Sequence, residues 1–276
     1  MVGDVVPTTS QTVTVGSANF AENVLLAEIY AAALEANGVT VQRKLDVGTR
    51  EELVPQIKAG EIDVVPEYSG ALLSYLQPEA KASSSADVYR QLVQAVPDGL
   101  RVLDQSKAED KDALVVTEAT ADKYTLFSIG DLKRVANELT LGGPGEWRTR
   151  PDGVKGLKRV YGLDFKRFRV LDAGGPRTIE ALKSGEVDAA DVFTTDPHIN
   201  TEGWVVLPDP AGLYAAQNVL PLIRTEQASD PVQNALYDVS TKLTTDNLTS
   251  MMVQVTIKER KPAEVAAEFL QTQGLV

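Results

Sequence analysis

Lys58-Ala-Gly-Glu-Ile-Asp-Val-Val-Pro-Glu-Tyr68 returns 125 residues later (183 − 58) as Lys183-Ser-Gly-Glu-Val-Asp-Ala-Ala-Asp-Val-Phe193. Gly60/Gly185, Glu61/Glu186, Asp63/Asp188 and Tyr68/Phe193 keep that offset. Each copy reads as the end of a helix, a turn at Gly and a short apolar strand running into a loop. Gly sits just past a last helical turn because it alone takes the left-handed conformation without steric cost. A repeated α-to-β unit predicts two similarly built halves. Each half places an aromatic residue at a strand end, where open α/β sheets bind ligands. The expectation is a two-walled cleft, with Tyr68 on one wall and Phe193 on the other.

Outward from the first copy, Thr12 to Val15 alternates as a strand. A long helical pattern follows Ser17-Ala-Asn-Phe20, with Leu25, Leu26, Ile29, Ala32 and Ala33 on one face and Gly38 after it. Asn19 with Glu22 three residues on has the spacing of a capping box, which predicts the helix start there. Val39 to Leu45 reads as a strand, Arg50 to Ala59 as a helix, Ile62 to Val65 as a strand, Ser84 to Val96 as a helix and Leu100 to Leu103 as a strand. After the apolar run Ala113 to Thr117 the alternation restarts. It gives a helix near Ile129 to Ala136, a strand Leu139 to Leu141, and a glycine-rich loop from Gly142 to Gly153. A helix Val154 to Tyr161, a strand Arg167 to Leu171, a helix Arg177 to Ser184 and a strand Val187 to Val192 complete this half. Val205 to Leu207 and Val219 to Ile223 are later strands, and helices fill Asp230 to the end. Such alternation predicts an α/β fold with mostly parallel sheets covered on both faces. The last ~50 residues exceed what the second half needs, so the chain returns to the first. This predicts one lobe from 12–112 plus 219–276, a second from 113–218, and a hinge of two strand crossings that can close on a ligand.

Composition excludes several classes of function. The 276 residues are 43% hydrophobic and 24% charged, as in an ordinary globular protein. A net charge of −12 argues against nucleic acid or an anionic membrane as partner. No stretch reaches ~20 apolar residues; the best, Val24 to Leu34, is broken by Glu28. With no cysteine there is no thiol chemistry or thiolate metal site. The one histidine, His198, supports neither a metal motif nor a Ser-His triad, and reads as a loop residue. Gly142-Gly-Pro-Gly145 and Gly174-Gly-Pro176 match no nucleotide fingerprint and read as turns. No catalytic, metal or cofactor site is expected. Met1 to Gln11 is a polar lead-in, read as a cytoplasmic start or as the mature end of an exported protein.

Binding residues stand out more clearly. Opposed aromatic faces attract a cation lacking hydrogen-bond donors, such as a quaternary ammonium, through the ring quadrupole. Arg150, in the loop Trp147-Arg-Thr-Arg-Pro-Asp-Gly153, offers two parallel hydrogen bonds to a ligand carboxylate. Arg148 reads as solvated surface.

These residues resemble the substrate-binding proteins of ABC importers for glycine betaine, choline and related osmoprotectants. The matching segments are Val15-Gly-Ser-Ala-Asn-Phe-Ala-Glu22, Gly60-Glu-Ile-Asp-Val-Val-Pro-Glu-Tyr-Ser-Gly70, Arg150-Pro-Asp-Gly153 with Tyr161-Gly162, and Asp191-Val-Phe-Thr-Thr-Asp196. Asn218 to Ile223 and Val265-Ala-Ala-Glu-Phe-Leu270 continue the match in the same order. The resemblance implies a two-lobed periplasmic-binding fold of type II and an extracytoplasmic location, with a lipid anchor on the precursor as one form of attachment. It also implies a monomer that delivers solute to a permease and, through it, an ATPase. Asn19, Tyr68, Ser69, Asp112, Arg150, Phe193, Thr194 and Gln217 fall at ligand-binding positions of that family.

Several of those positions differ in chemistry. A family lysine is Ala18, a frequent threonine is Ala71, and family tyrosines are Asp112, Phe193 and Gln217, with Tyr214 near the last. Each lost cage tyrosine removes ~0.5–2 kcal/mol of cation–π attraction. Asp112 attracts a cation but repels a carboxylate, and Gln217 adds hydrogen-bonding groups. Glycine betaine or choline is the expected ligand. The alternatives are a polyhydroxylated or aromatic solute in the same transport role, or an enzyme or sensor domain on the same fold.

Overall fold

The two copies of the repeat fold alike in the computed structural model, which describes residues 12–276. Gly60 and Gly185 take φ of +78° and +75°. The aspartate of each copy then ties its strand to the neighbouring one. Asp63 accepts from the Thr14 amide at 2.8 Å and returns its own N–H to the Thr14 carbonyl at 2.8 Å. Asp188 does the same with Thr140, at 2.7 and 2.9 Å. The Gly turns the chain and the Asp fixes where the strand enters the sheet.

Two five-stranded sheets result. The first contains β1 (Thr12–Gly16), β2 (Thr40–Lys44), β3 (Val64–Tyr68), β4 (Leu100–Val102) and β10 (Val219–Arg224), in the order β2-β1-β3-β10-β4. The second contains β5 (Asp112–Val116), β6 (Thr140–Pro144), β7 (Arg167–Leu171), β8 (Ala189–Phe193) and β9 (Val205–Val206), in the order β7-β6-β8-β5-β9. Each is parallel in its leading strands and takes one central antiparallel strand delivered by a crossing, β10 in the first and β5 in the second. The crossings run side by side: Asp110 N–H donates to the Gln217 carbonyl at 3.1 Å, and Ser106 and Val219 share a further bond at 2.8 Å.

Helices cover both faces. α1 (Ala21–Ala36), α2 (Arg50–Ala59), α3 (Ser69–Leu76) and α4 (Ser85–Ala95) flank the first sheet. α5 (Glu118–Tyr124), α6 (Val154–Tyr161), α7 (Pro176–Lys183) and α8 (His198–Thr201) belong to the second. α9 (Asp230–Lys242), α10 (Thr245–Met252) and α11 (Pro262–Gln273) return to α1, where Leu236, Leu248 and Phe269 share a core with Leu25 and Ile29. A second apolar cluster on Leu53, Ile57, Leu72 and Leu92 covers the opposite face of that sheet. The other sheet is likewise packed on both faces, around Trp147 and Leu157 on one and Leu182 and Trp204 on the other.

Four local expectations change. Asn19 and Glu22 form no capping box; Phe20 is the N-cap of α1 without a side-chain cap, and capping boxes occur instead at Thr49/Glu52 and Thr244/Asn247. Gly142 to Pro144 is not a turn but the end of β6, in register with Arg169 to Leu171, and Gly142 is glycine where a Cβ would lie 2.7 Å from Leu171. The segment near Ile129 is a 3-10 turn to Arg134, and His198 opens a one-turn helix rather than lying in a loop. Met1 to Gln11 lies outside the described residues.

Candidate functional site

Tyr68 and Phe193 are the last residues of β3 and β8, and both reach a cleft between the two sheets. They do not face one another directly. Phe20, at the start of α1, lies between them, with ring centroids 6.0 Å from Tyr68 and 5.1 Å from Phe193. The three rings form a tilted row contributed by both sheets. Gly174, at φ +64°, lets its loop pass behind Phe193, where a Cβ would lie 3.1 Å from the ring.

Glu22 fastens this row. It is 1% exposed and accepts from the Tyr68 hydroxyl at 2.9 Å and from the Thr195 hydroxyl. Tyr68 comes from the first sheet and Thr195 follows β8, so one carboxyl joins the two halves. Asp110, on the first crossing, is the buried carboxyl that interacts with Glu22. Burial raises both carboxyls above their usual range, and for Asp110 the charge of Glu22 pushes the same way. Two neighbouring buried carboxyls disfavour being ionised together.

The arginines are already paired. Arg50 makes a fork to buried Glu67 at 2.8–3.0 Å. Arg150 makes a fork across the cleft to Glu51 of α2, at 3.1 and 3.0 Å. Burial opposes the Glu51 charge, but the Arg150 pair outweighs it and holds this carboxyl down at about 2. The expected receptor for a ligand carboxylate therefore already carries one from the protein.

Carboxylates dominate what remains. Asp112, Asp152 and Asp191 line the cleft, and Asp112 pairs in register with Phe193. Burial, then the charge of Asp152, raises Asp112 to about 7 against the pull of Arg150. Asp191 is 2% exposed, and burial followed by the Asp112 charge carries it well above the carboxylate range. Asp152 Oδ1, Asp191 Oδ1 and the Tyr214 hydroxyl are buried without a hydrogen-bond partner among the described residues. Asp152 and Asp191 line the cleft, where unsatisfied acceptors ask for donors from a ligand; Tyr214 is not among the lining residues.

Of the residues singled out from the sequence, Asn19, Tyr68, Asp112, Arg150, Phe193 and Gln217 line the cleft. Gln217 also caps α3, its Oε1 accepting from the Ala71 N–H at 2.7 Å. Ser69 and Thr194 are not among the lining residues. Ser69 binds the second crossing through Ala216 and Asn218, and Thr194 binds the first through Asp110 and Lys111. Phe20, Glu22, Arg50, Asp152 and Asp191 were not singled out as binding residues from the sequence. Asp191 did leave a signal, an acidic residue inside the apolar strand Ala189–Phe193. Among the described residues there is no group of His, Asp or Glu that could hold a metal ion, and no helix long and apolar enough to cross a membrane.

Comparison with known proteins agrees with this architecture. The chain is 29% identical to a glycine-betaine-binding protein of Pseudomonas aeruginosa, covering 97% of this chain and 89% of that one. It is 26% identical to the glycine betaine-binding protein YehZ of Escherichia coli, covering 95% and 90%. A crystal structure described as a glycine betaine/carnitine/choline ABC transporter superposes with a TM-score of 0.74 at 21% identity, covering 95% of this chain and 99% of that chain, a likeness of fold. The family profile described as the substrate binding domain of ABC-type glycine betaine transport system matches residues 11–272. The chain belongs to that family, with the two-lobed fold of periplasmic binding proteins.

Proposed function

We propose that this protein captures a small organic cation of the osmoprotectant class in the cleft between its sheets and presents it to an ABC permease coupled to an ATPase. The observation that carries the reading is the row Phe20, Tyr68 and Phe193, built from both sheets beside Asp112, Asp152 and Asp191. Rings attract an organic cation through their faces, and carboxylates supply the opposite charge. Glycine betaine is the solute in the names of both relatives, yet the fork between Arg150 and Glu51 favours a cation without a carboxylate, such as choline. In this reading Asn19, Tyr68, Asp112, Arg150, Phe193 and Gln217 contact the ligand, and Ser69 and Thr194 position the crossings. The lobes are 12–112 plus 219–276 and 113–218, and the crossings act as the hinge. The protein works as a monomer on the extracytoplasmic side of the membrane and turns nothing over.

Thermal-shift and calorimetric titration with choline, carnitine and glycine betaine, against sorbitol and trehalose, tests this. A ligand that binds only the folded state stabilises it by ~2.7 kcal/mol at a hundred times its Kd. Stabilisation by the cations and none by the sugars is expected, with choline ahead of glycine betaine. No shift with any of the three at millimolar concentration would sink the proposal.

A further inference from the structure

The carboxylate end of the cleft constrains the ligand more tightly than the aromatic row does. Asp191 is 2% exposed and lines the cleft, and its Oδ1 has no hydrogen-bond partner among the described residues. Asp152 Oδ1, on the same cleft lining, is buried in the same condition. The protein's own cations do not serve them: Arg50 forks onto Glu67 and Arg150 onto Glu51. A buried acceptor left unmade bears its full desolvation cost, whereas one that meets a donor recovers it. A fully alkylated nitrogen carries charge but no N–H, so it would leave both oxygens as they are.

We propose that the cation taken by this cleft carries N–H donors, as a protonated amine or a guanidinium does, and that Asp191 with Asp152 receives them. The row of rings then packs against the ligand's alkyl carbons, which also draw on the positive charge. Glu51 completes the selection. It occupies the Arg150 guanidinium, so a ligand carboxylate would have to displace one carboxylate with another and gain little. This inference rests on the cleft being the solute site.

The test compares two ligands that differ by one methyl group. Choline and N,N-dimethylethanolamine share a skeleton and a hydroxyl, and both are cations at pH 7; only the second has an N–H on its nitrogen. Calorimetric titration of the whole chain should show dimethylethanolamine binding at least fivefold more tightly. In Asp191→Asn, which keeps the shape and removes the charge, that preference should fall towards one. If that variant does not fold, Asp152→Asn should reduce the preference in the same direction. A preference below fivefold, or one left unchanged in the variant that folds, overturns the inference while leaving the cleft as a cation site. Failure of both ligands and of glycine betaine to bind overturns the underlying reading and the inference with it.

Discussion

At the scale of single residues, the cleft is governed by what each charged group is already paired with. Glu22 has the sequence spacing of a helix cap, yet it is buried and held by the hydroxyls of Tyr68 and Thr195. Tyr68→Phe keeps the ring and its packing but leaves Glu22 one donor short. It should lower stability by ~1–3 kcal/mol, the cost of an unmade buried hydrogen bond. Urea denaturation measures this, and a loss under ~0.5 kcal/mol, the size of an ordinary surface substitution, would mean that the hydroxyl does not hold Glu22. Arg150 gives the complementary case. Glu51→Gln frees its guanidinium, so glycine betaine should bind roughly tenfold more tightly, ~1.4 kcal/mol, while choline changes little. Equal shifts for both ligands would place Arg150 out of the ligand's reach.

At the scale of elements, the repeat does one structural job twice, but with unequal load. Asp188 serves the Thr140 amide; Asp63 serves the Thr14 amide and also accepts from Arg224 at 3.0 Å. Asp188→Ala should cost ~1–2 kcal/mol for one orphaned N–H. Asp63→Ala should cost more, because it also strands a partly buried guanidinium. Equal midpoints in urea would contradict that ranking. The repeat and the helical periodicities were enough to read both sheets, because apolar spacing and glycine turns are local signals. Strand ends were less legible: Gly142 to Pro144 looks like a turn until Leu171 and Val187 are seen to fill the space a side chain would need. The short helix α3 was missed because Ser69-Gly70 reads as a loop; its first turn is completed from outside, by Gln217 and Asn218. The acidic cluster was least legible of all. Asp112 comes from β5, Asp152 from a loop and Asp191 from β8, and only the fold brings them to one place.

At the scale of the whole molecule, the halves meet through the Phe20–Phe193 contact, the Thr195–Glu22 bond and the Arg150–Glu51 pair. The last is partly exposed on both sides, and such pairs contribute only ~0–1 kcal/mol. Charge inside the cleft therefore has the larger influence, and it depends on pH. Asp112 has its folded-state value raised from 3.8 to about 7 by burial and by Asp152, against Arg150 and with smaller effects from Asp110 and Arg50. Between those limits the folded state binds more protons than the unfolded state. The stability tied to this group is complete below pH ~4 and is lost as pH rises through about 7. A bound cation reverses the balance, because it favours the ionised carboxylate and releases the proton. Relative to Asp112→Asn, the melting temperature of the free protein should therefore fall between pH 5.5 and 8.0. Over the same interval the increment produced by choline should grow. An increment that is flat, or that shrinks as pH rises, would show that the ligand's charge does not lie among Asp112, Asp152 and Asp191.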